Sequence, residues 1–173
     1  MNTDTESILI SDANIFFDLI NINLIDQFFA VPEKISTTDF IISEIEDEKE
    51  KEIIETLIQN EKLIVKEFPQ EEIQEIIKLR AATRKLSLQD CSVWYYAKKS
   101  KGTLLTGDKR LRQEVEKDNI DVHGILFVFE LILKYQLISA TEAISALKEL
   151  SKINTRLPQD KIKDFIENIK RSR

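Results

Sequence analysis

The chain has 173 residues, of which 42% are hydrophobic, and its formal net charge of −6 gives a sequence pI of about 5.0. This length and hydrophobic content predict one domain with its own core, and they leave too little chain for two. The acidic balance excludes a global positive field that attracts nucleic acids, although a local basic patch or a bound metal ion reverses the field where it lies.

Cysteine content and the length of the apolar runs predict where the protein resides. Cys91 is the single cysteine of the sequence, which excludes an internal disulfide and is typical of an intracellular chain. Residues 1–6 are polar and acidic and lack the basic and apolar regions of a signal peptide. The longest apolar run, 125–129, is far shorter than the roughly 20 residues that span a bilayer. We therefore expect a cytoplasmic protein that does not enter a membrane.

The hydrophobic pattern predicts strands that alternate with helices. An apolar run ends at Asp12 and helical spacing follows at once, as in a buried parallel strand that leads into its crossover helix. Further strands are predicted at 34–37, 63–65, 102–106 and 120–123, each followed by a helical pattern. This alternation predicts an α/β domain with a parallel sheet and helices on both faces.

The last part of the chain is predicted to be helical. Ser139 and Glu142 have the spacing of a capping box. We expect residues 1–138 to form the main domain, and residues 139–173 to form a helical extension that packs on the same domain or at a homodimer interface. The final apolar stripe fits either arrangement and consists of Ile162, Phe165, Ile166 and Ile169.

Four acidic residues stand apart from the charged helix faces. Asp12 and Asp108 come directly after predicted strands, and the carboxyl ends of such strands form the sheet edge where ligands bind. Glu44 falls on the predicted apolar face of a helix, and Asp90 heads the inward stripe of another. Carboxylates that converge on one dry spot repel each other unless a cation lies between them.

The cluster has a chemical interpretation and a structural one. An all-oxygen site suits Mg²⁺ or Mn²⁺ rather than zinc, and metal-assisted hydrolysis of phosphodiesters is the reaction that such a site supports. Each acid also has a purely structural explanation. Asp12 and Asp108 can be helix caps, Asp90 can be a first-turn acid, and Glu44 can be a side chain that reaches solvent. The chemical interpretation depends on the four acids lying together.

The order of these motifs resembles that of the PIN-domain family. The matching segments are 8–14, 43–44, 86–90 and 104–111, and the similarity is nearest to the prokaryotic branch that includes VapC-type toxins. The resemblance implies a three-layer α/β/α fold with a central, mostly parallel sheet of four to five strands, here with extra C-terminal helices. It implies a Mg²⁺- or Mn²⁺-dependent endoribonuclease. Carried over by position, the catalytic and metal-binding residues would be Asp12, Glu44, Asp90 and Asp108.

The resemblance also implies supporting residues and partners. Asn14 and Thr106 occupy positions where the family commonly has polar residues that orient a carboxylate or a water. The substrate would be RNA, and a toxin would pair with an antitoxin protein that blocks the pocket. We also expect a homodimer. The chain exceeds a compact VapC-type toxin by its two helices after residue 138.

Basic residues flank two of the acids. Arg84 and Lys85 precede Asp90, while Lys109 and Arg110 follow Asp108. At the rim of an acidic pocket they would bind RNA phosphates without reading the sequence. On outward helix faces they would be ordinary solvated side chains. The sequence leaves both interpretations open.

Two other classes of function remain to be weighed against a nuclease. A receiver-type phosphoacceptor domain also gathers acids at strand ends, but it needs a lysine after a strand, and here Lys109 directly follows an acid. A catalytically inactive PIN-like module would bind RNA or protein and keep the acids without turnover. Cleavage that depends on Mg²⁺ or Mn²⁺ distinguishes the nuclease from both.

Overall fold

In a computed structural model of the chain, residues 8–83 and 85–172 are described, and they form five strands and ten helices. The strands are β1 (Ile8–Ser11), β2 (Lys34–Thr38), β3 (Leu63–Lys66), β4 (Thr103–Leu105) and β5 (Val122–His123). The helices are α1 (Ala13–Asn21), α2 (Ile25–Phe28), α3 (Asp39–Ile42), α4 (Glu48–Gln59), α5 (Gln70–Thr83), α6 (Leu88–Ser100), α7 (Lys109–Glu116), α8 (Ile125–Lys134), α9 (Ala140–Ile153) and α10 (Gln159–Arg171).

The strands form one sheet in the order β3-β2-β1-β4-β5, and every neighbouring pair is parallel. The chain leaves β1 toward one side of the sheet and later returns to build the other side, so the strand order reverses between β1 and β4. In open α/β sheets, ligands bind outside the carboxyl ends of the strands at such a reversal. The topology therefore places the ends of β1 and β4 at the position expected for a functional site.

Alternating strand residues divide the core between the two faces of the sheet. Leu9 and Leu105 are buried in one apolar cluster, whereas their chain neighbours Ile10 and Leu104 are buried in the other. This alternation follows from the pleat of a strand, which sends successive side chains to opposite faces. Helices cover both clusters, so the predicted three-layer α/β fold with a parallel central sheet is confirmed.

The C-terminal helices pack on the same core as the strands. Ile162 and Ile166 of α10 are buried with residues of α1, α8 and α9, and Phe165 and Ile169 pack against that cluster. The capping box of Ser139 and Glu142 begins α9, as the sequence predicts. The final apolar stripe is thus covered within the chain. Of the described helices, none is long and apolar enough to cross a membrane.

Candidate active site

A polar cleft of about 570 Å³ opens at the carboxyl edge of the sheet, beside the end of β1. Three segments form it: the first turn of α1, the connection between α3 and α4, and the start of α6. Three of the four predicted acids lie in its lining, and Asp108 does not. The lining consists of Asp12, Ala13, Asn14, Phe17, Ser43, Glu44, Glu46, Ser87, Gln89 and Asp90.

Asp12 is the innermost acid of the cleft and is held on both carboxylate oxygens. It is only 4% exposed. As the N-cap of α1, its Oδ1 accepts a hydrogen bond of 2.8 Å from the backbone N–H of Ala13. Its Oδ2 accepts a hydrogen bond of 2.8 Å from the hydroxyl of Thr106, which is fully buried just after β4. Each oxygen keeps a second lone pair, so the carboxylate is oriented without being saturated.

Burial raises the pKa of Asp12 from 3.8 to about 6, because the charged form loses solvation inside the protein. The hydrogen bond from Thr106 opposes this rise, since it favours the ionised form. The negative charges of Asp90 and Glu44 raise the pKa further. The three carboxylates therefore interact electrostatically across the cleft, as the sequence-based hypothesis requires of a shared site.

Asp90 combines a structural contact with a position in the cleft. Its Oδ2 accepts a hydrogen bond of 2.8 Å from the backbone N–H of Ser87, and the Ser87 hydroxyl accepts one of 3.0 Å from the backbone N–H of Asp90. This reciprocal pair is a capping box that begins α6. The first-turn explanation of Asp90 is thus correct, and it fixes the carboxylate at the cleft rather than excluding it from the site.

Glu44 reaches the cleft by a different route from the one predicted. The helix that begins at Asp39 ends at Ile42, so Glu44 lies in a turn and not on an apolar helix face. Its side chain is exposed and makes no hydrogen bond or ion pair to the other described residues. Partial burial and the charge of Asp90 raise its pKa. Glu44 therefore lines the same cleft as Asp12 and Asp90, but from a turn rather than from the predicted helix face.

Asp108 is the acid that the structure does not bring to the cleft. Its Oδ1 accepts hydrogen bonds of 2.6 Å and 2.9 Å from the backbone N–H groups of Arg110 and Leu111, so it caps α7. Its own backbone N–H donates to the Thr106 hydroxyl across 3.0 Å. Asp108 is thereby connected to Asp12 through Thr106, while its carboxylate serves as a helix cap.

The two predicted supporting residues differ in their contacts. Thr106 contacts Asp12 directly, as described above. Asn14 lines the cleft with an exposed side chain and makes no hydrogen bond to Asp12 in the described part of the chain. Thr106 can therefore orient the carboxylate in this geometry, whereas Asn14 does not hydrogen-bond to it.

The predicted basic rim is not part of the cleft lining. Lys85, Lys109 and Arg110 are exposed, and none of them lines the cleft. Arg84 lies outside the described residues. Nucleic-acid binding by these side chains stays a prediction.

Sequence reasoning missed both a further acid and the polar support beneath the site. Glu46 is not among the four acids predicted for the site, but it lines the cleft, two residues after Glu44. The hydroxyl of Thr37 donates to the Ser11 carbonyl across 2.7 Å, and the hydroxyls of Thr38 and Ser92 lie 2.7 Å apart. All four hydroxyl residues are fully buried. Ser11, Thr37 and Thr38 are visible in the sequence as polar residues at the ends of predicted strands, whereas Ser92 lies on α6 and gave no such signal.

The donor set of the cleft suits a hard divalent cation, since its charged ligands are all carboxylates. A cation would also offset the repulsion that raises the pKa of Asp12. Within residues 8–83 and 85–172, however, no three acidic, histidine or cysteine side chains are gathered closely enough to hold a metal ion. Asp12, Asp90 and Glu44 are the side chains of the cleft that would hold such a cation.

Comparison with known proteins identifies the class to which this fold and cleft belong. A family model described as a PIN domain (DUF3368) matches residues 8–171. The chain therefore belongs to the PIN-domain family, and the sequence resemblance is confirmed. The match includes both C-terminal helices, which are thus part of the matched unit.

Solved structures provide an independent comparison of the fold. PAE2754 from Pyrobaculum aerophilum has 18% sequence identity and a TM-score of 0.53, with 72% of this chain and 96% of that chain covered. VapBC2 from Rickettsia felis, bound to a promoter DNA fragment, has 16% identity and a TM-score of 0.47, with 68% and 98% covered. FitAcB from Neisseria gonorrhoeae has 12% identity and a TM-score of 0.45, with 68% and 98% covered. No curated protein matches the chain.

Proposed function

We propose that this protein is an endoribonuclease that hydrolyses RNA phosphodiester bonds with Mg²⁺ or Mn²⁺ at the Asp12 cleft. The observation that carries the proposal is the convergence of Asp12, Glu44 and Asp90 on one cleft, where the charges of the other two raise the pKa of Asp12. Such a concentration of negative charge is costly unless a cation is bound. Membership of the PIN-domain family supports the same reaction class.

Each acid has a separate task under this proposal. Asp12 is held rigidly by Ala13 and Thr106, so it provides a fixed oxygen ligand at the base of the cleft. Asp90 is held on one oxygen by the capping box and lines the cleft. Glu44 makes no hydrogen bond or ion pair to other described residues, so it is free to close on a ligand.

The cation and the carboxylates contribute different chemistry. A divalent cation bound by these oxygens would supply Lewis acidity and neutralise charge on the phosphate. The protein contributes the fixed position of the site and the burial of Asp12. Because the pKa of Asp12 is about 6, a proton competes with the cation for this carboxylate in mildly acidic solution.

Cleavage of a labelled RNA by purified variants tests the proposal. We expect the wild type to cut with Mg²⁺ or Mn²⁺ and not with EDTA, and Asp12→Asn and Asp90→Asn to lose cleavage while keeping the wild-type circular dichroism spectrum. Asp26→Asn is the matched control, because Asp26 is an exposed acid on α2 outside the cleft. Wild-type cleavage by Asp12→Asn would refute the assignment of the site.

A catalytically inactive PIN-like module is the second candidate. It is favoured by the observation that no three potential ligands in the described part of the chain are gathered around a metal position. Under this alternative the protein would retain RNA on a filter but would show no cleavage that depends on Mg²⁺ or Mn²⁺. The same set of variants therefore decides between turnover and binding.

Toxin activity and an antitoxin protein are further proposals that rest on family resemblance, and the homodimer expected from the final apolar stripe is a separate proposal. Growth arrest on induction of the wild type, but not of Asp12→Asn, would support a toxin. Sedimentation of the purified chain tests the dimer. A dimer would use a surface other than the final apolar stripe, because Ile162 and Ile166 are buried within the chain.

A further inference from the structure

Phe17 is an aromatic ring in an otherwise polar cleft. Nine other residues line the cleft, and apart from the methyl group of Ala13 their side chains are acids, amides or hydroxyls. Phe17 is half-buried, whereas its neighbour Phe16 is fully buried in the core. It takes part in no ring pair among the described aromatic residues. Phe17 packs against both apolar clusters, and the rest of its surface lines the cleft beside the carboxylates.

The helix sets the position of this ring relative to Asp12. Asp12 caps α1 and Ala13 is the first residue of this helix. Phe17 follows Ala13 by four residues, so Phe17 and Ala13 lie on the same helix face about 6 Å apart along the axis. Long side chains in helices lean back over the preceding turn, toward the helix N-terminus. The ring therefore lies over the turn that carries Asp12.

The charges of the cleft make this apolar surface important for binding. None of the described lining residues is a lysine or an arginine, while four of them are acids. A nucleotide in the cleft consequently receives no ion pair to its phosphate from these residues. Stacking of a base on an aromatic ring is independent of such pairs, and every base offers a π face.

We propose that Phe17 is a substrate-positioning residue that stacks on an unpaired base next to the scissile phosphate. This inference rests on the proposed nuclease function and adds the residue of this chain that positions a base beside the carboxylates. A base must leave its duplex stack to lie on a protein ring, so the preferred substrate is RNA that is unpaired at the cleavage point. Phe17 contributes chiefly to binding, because a hydrocarbon ring has no group that binds a cation or transfers a proton.

Steady-state kinetics on a short RNA, alone or annealed to its complement, tests the role of the ring. We expect Phe17→Leu to raise KM for the single strand by about tenfold with little change in kcat, since it removes the π face and keeps apolar volume. Phe17→Tyr should retain the wild-type KM. The preference for the single strand over the duplex should shrink in Phe17→Leu. Phe165→Leu is the matched control, because Phe165 is half-buried on α10 and does not line the cleft.

A binding measurement separates failure of this inference from failure of the nuclease proposal. In EDTA, a single-stranded RNA that contains 2-aminopurine should lose fluorescence on binding the wild type and Phe17→Tyr, and less on binding Phe17→Leu. Cleavage by the wild type with equal KM and equal quenching in Phe17→Leu would overturn the stacking role and leave the nuclease intact. Absence of both cleavage and RNA binding in the wild type would overturn both.

Discussion

The hydroxyl of Thr106 donates a hydrogen bond of 2.8 Å to the carboxylate of Asp12, across a separation of 94 residues in the chain. The two residues follow adjacent parallel strands, β4 and β1, at the point where the strand order reverses. The same hydroxyl accepts a hydrogen bond from the backbone N–H of Asp108. One buried side chain therefore joins the base of the cleft to the start of α7.

Removal of the Thr106 hydroxyl should shift the pH dependence of cleavage. The hydrogen bond lowers the pKa of Asp12, so Thr106→Val should raise that pKa above its present value of about 6. A higher pKa keeps the carboxyl protonated to higher pH, and the acidic limb of the rate profile should move upward in pH. Thr106→Ser keeps the donor and should retain the wild-type profile. An unchanged profile in Thr106→Val would contradict this role.

Asp12 should decrease the stability of the protein at neutral pH. Its pKa is 3.8 in the reference state and about 6 in the fold, so between these values the folded chain binds more protons than the unfolded chain. The free energy of unfolding therefore falls as pH rises through this window, by about 3 kcal/mol in full. We expect Asp12→Asn to be more stable than wild type at pH 7 in urea unfolding.

The stabilisation by Asp12→Asn should disappear below about pH 4, where the aspartate is protonated in both states. The exposed variant Asp26→Asn should stay within about 0.5 kcal/mol of wild type at both pH values. Equal stability of Asp12→Asn and wild type at pH 7 would show that burial does not penalise the charge.

Calorimetric titration with Mn²⁺ should show that substitution of an acid in the cleft lining weakens Mn²⁺ binding more than substitution of Asp108, which lies outside it. Asp90→Asn and Glu44→Gln change oxygens that line the cleft, so each should weaken binding by more than about tenfold. Asp108→Asn should have a smaller effect, because the carboxylate of Asp108 caps α7 outside the cleft lining. Asp108→Ala should instead lower the free energy of unfolding by about 1 kcal/mol through loss of the cap. A large loss of Mn²⁺ affinity in Asp108→Asn would make Asp108 a ligand.

Asn154 should anchor the C-terminal helices to the helix that carries the site. Its side-chain amide donates to both carboxylate oxygens of Asp18, at 3.0 Å and 3.2 Å, and Asp18 is buried on α1. We expect Asn154→Ala to lower the free energy of unfolding by about 2 kcal/mol at pH 7, because a buried charge loses its donor. Asp18→Asn combined with Asn154→Ala should recover part of that loss.

The local pattern of the sequence was sufficient to predict the elements that depend on neighbouring residues. Strand ends at Asp12 and near Asp108, the cap at Ser87 and the capping box at Ser139 follow from spacing over a few positions. The β–α alternation predicted the parallel sheet, since parallel neighbours require crossover connections. Four motifs in order pointed to the PIN-domain family.

Contacts between distant segments were decided only by the tertiary structure. The hydrogen bond between Thr106 and Asp12, the path of Glu44 through a turn, and the position of Asp108 outside the cleft all depend on how β1, β4 and α3 pack. Helical spacing had placed Glu44 on a helix that ends at Ile42. The hydrophobic periodicity of the sequence indicates which face of a helix or strand is buried. It does not indicate where that helix or strand ends, or which segment packs against it. The sequence alone determined which acids were candidates, whereas packing determined which of them share a cleft.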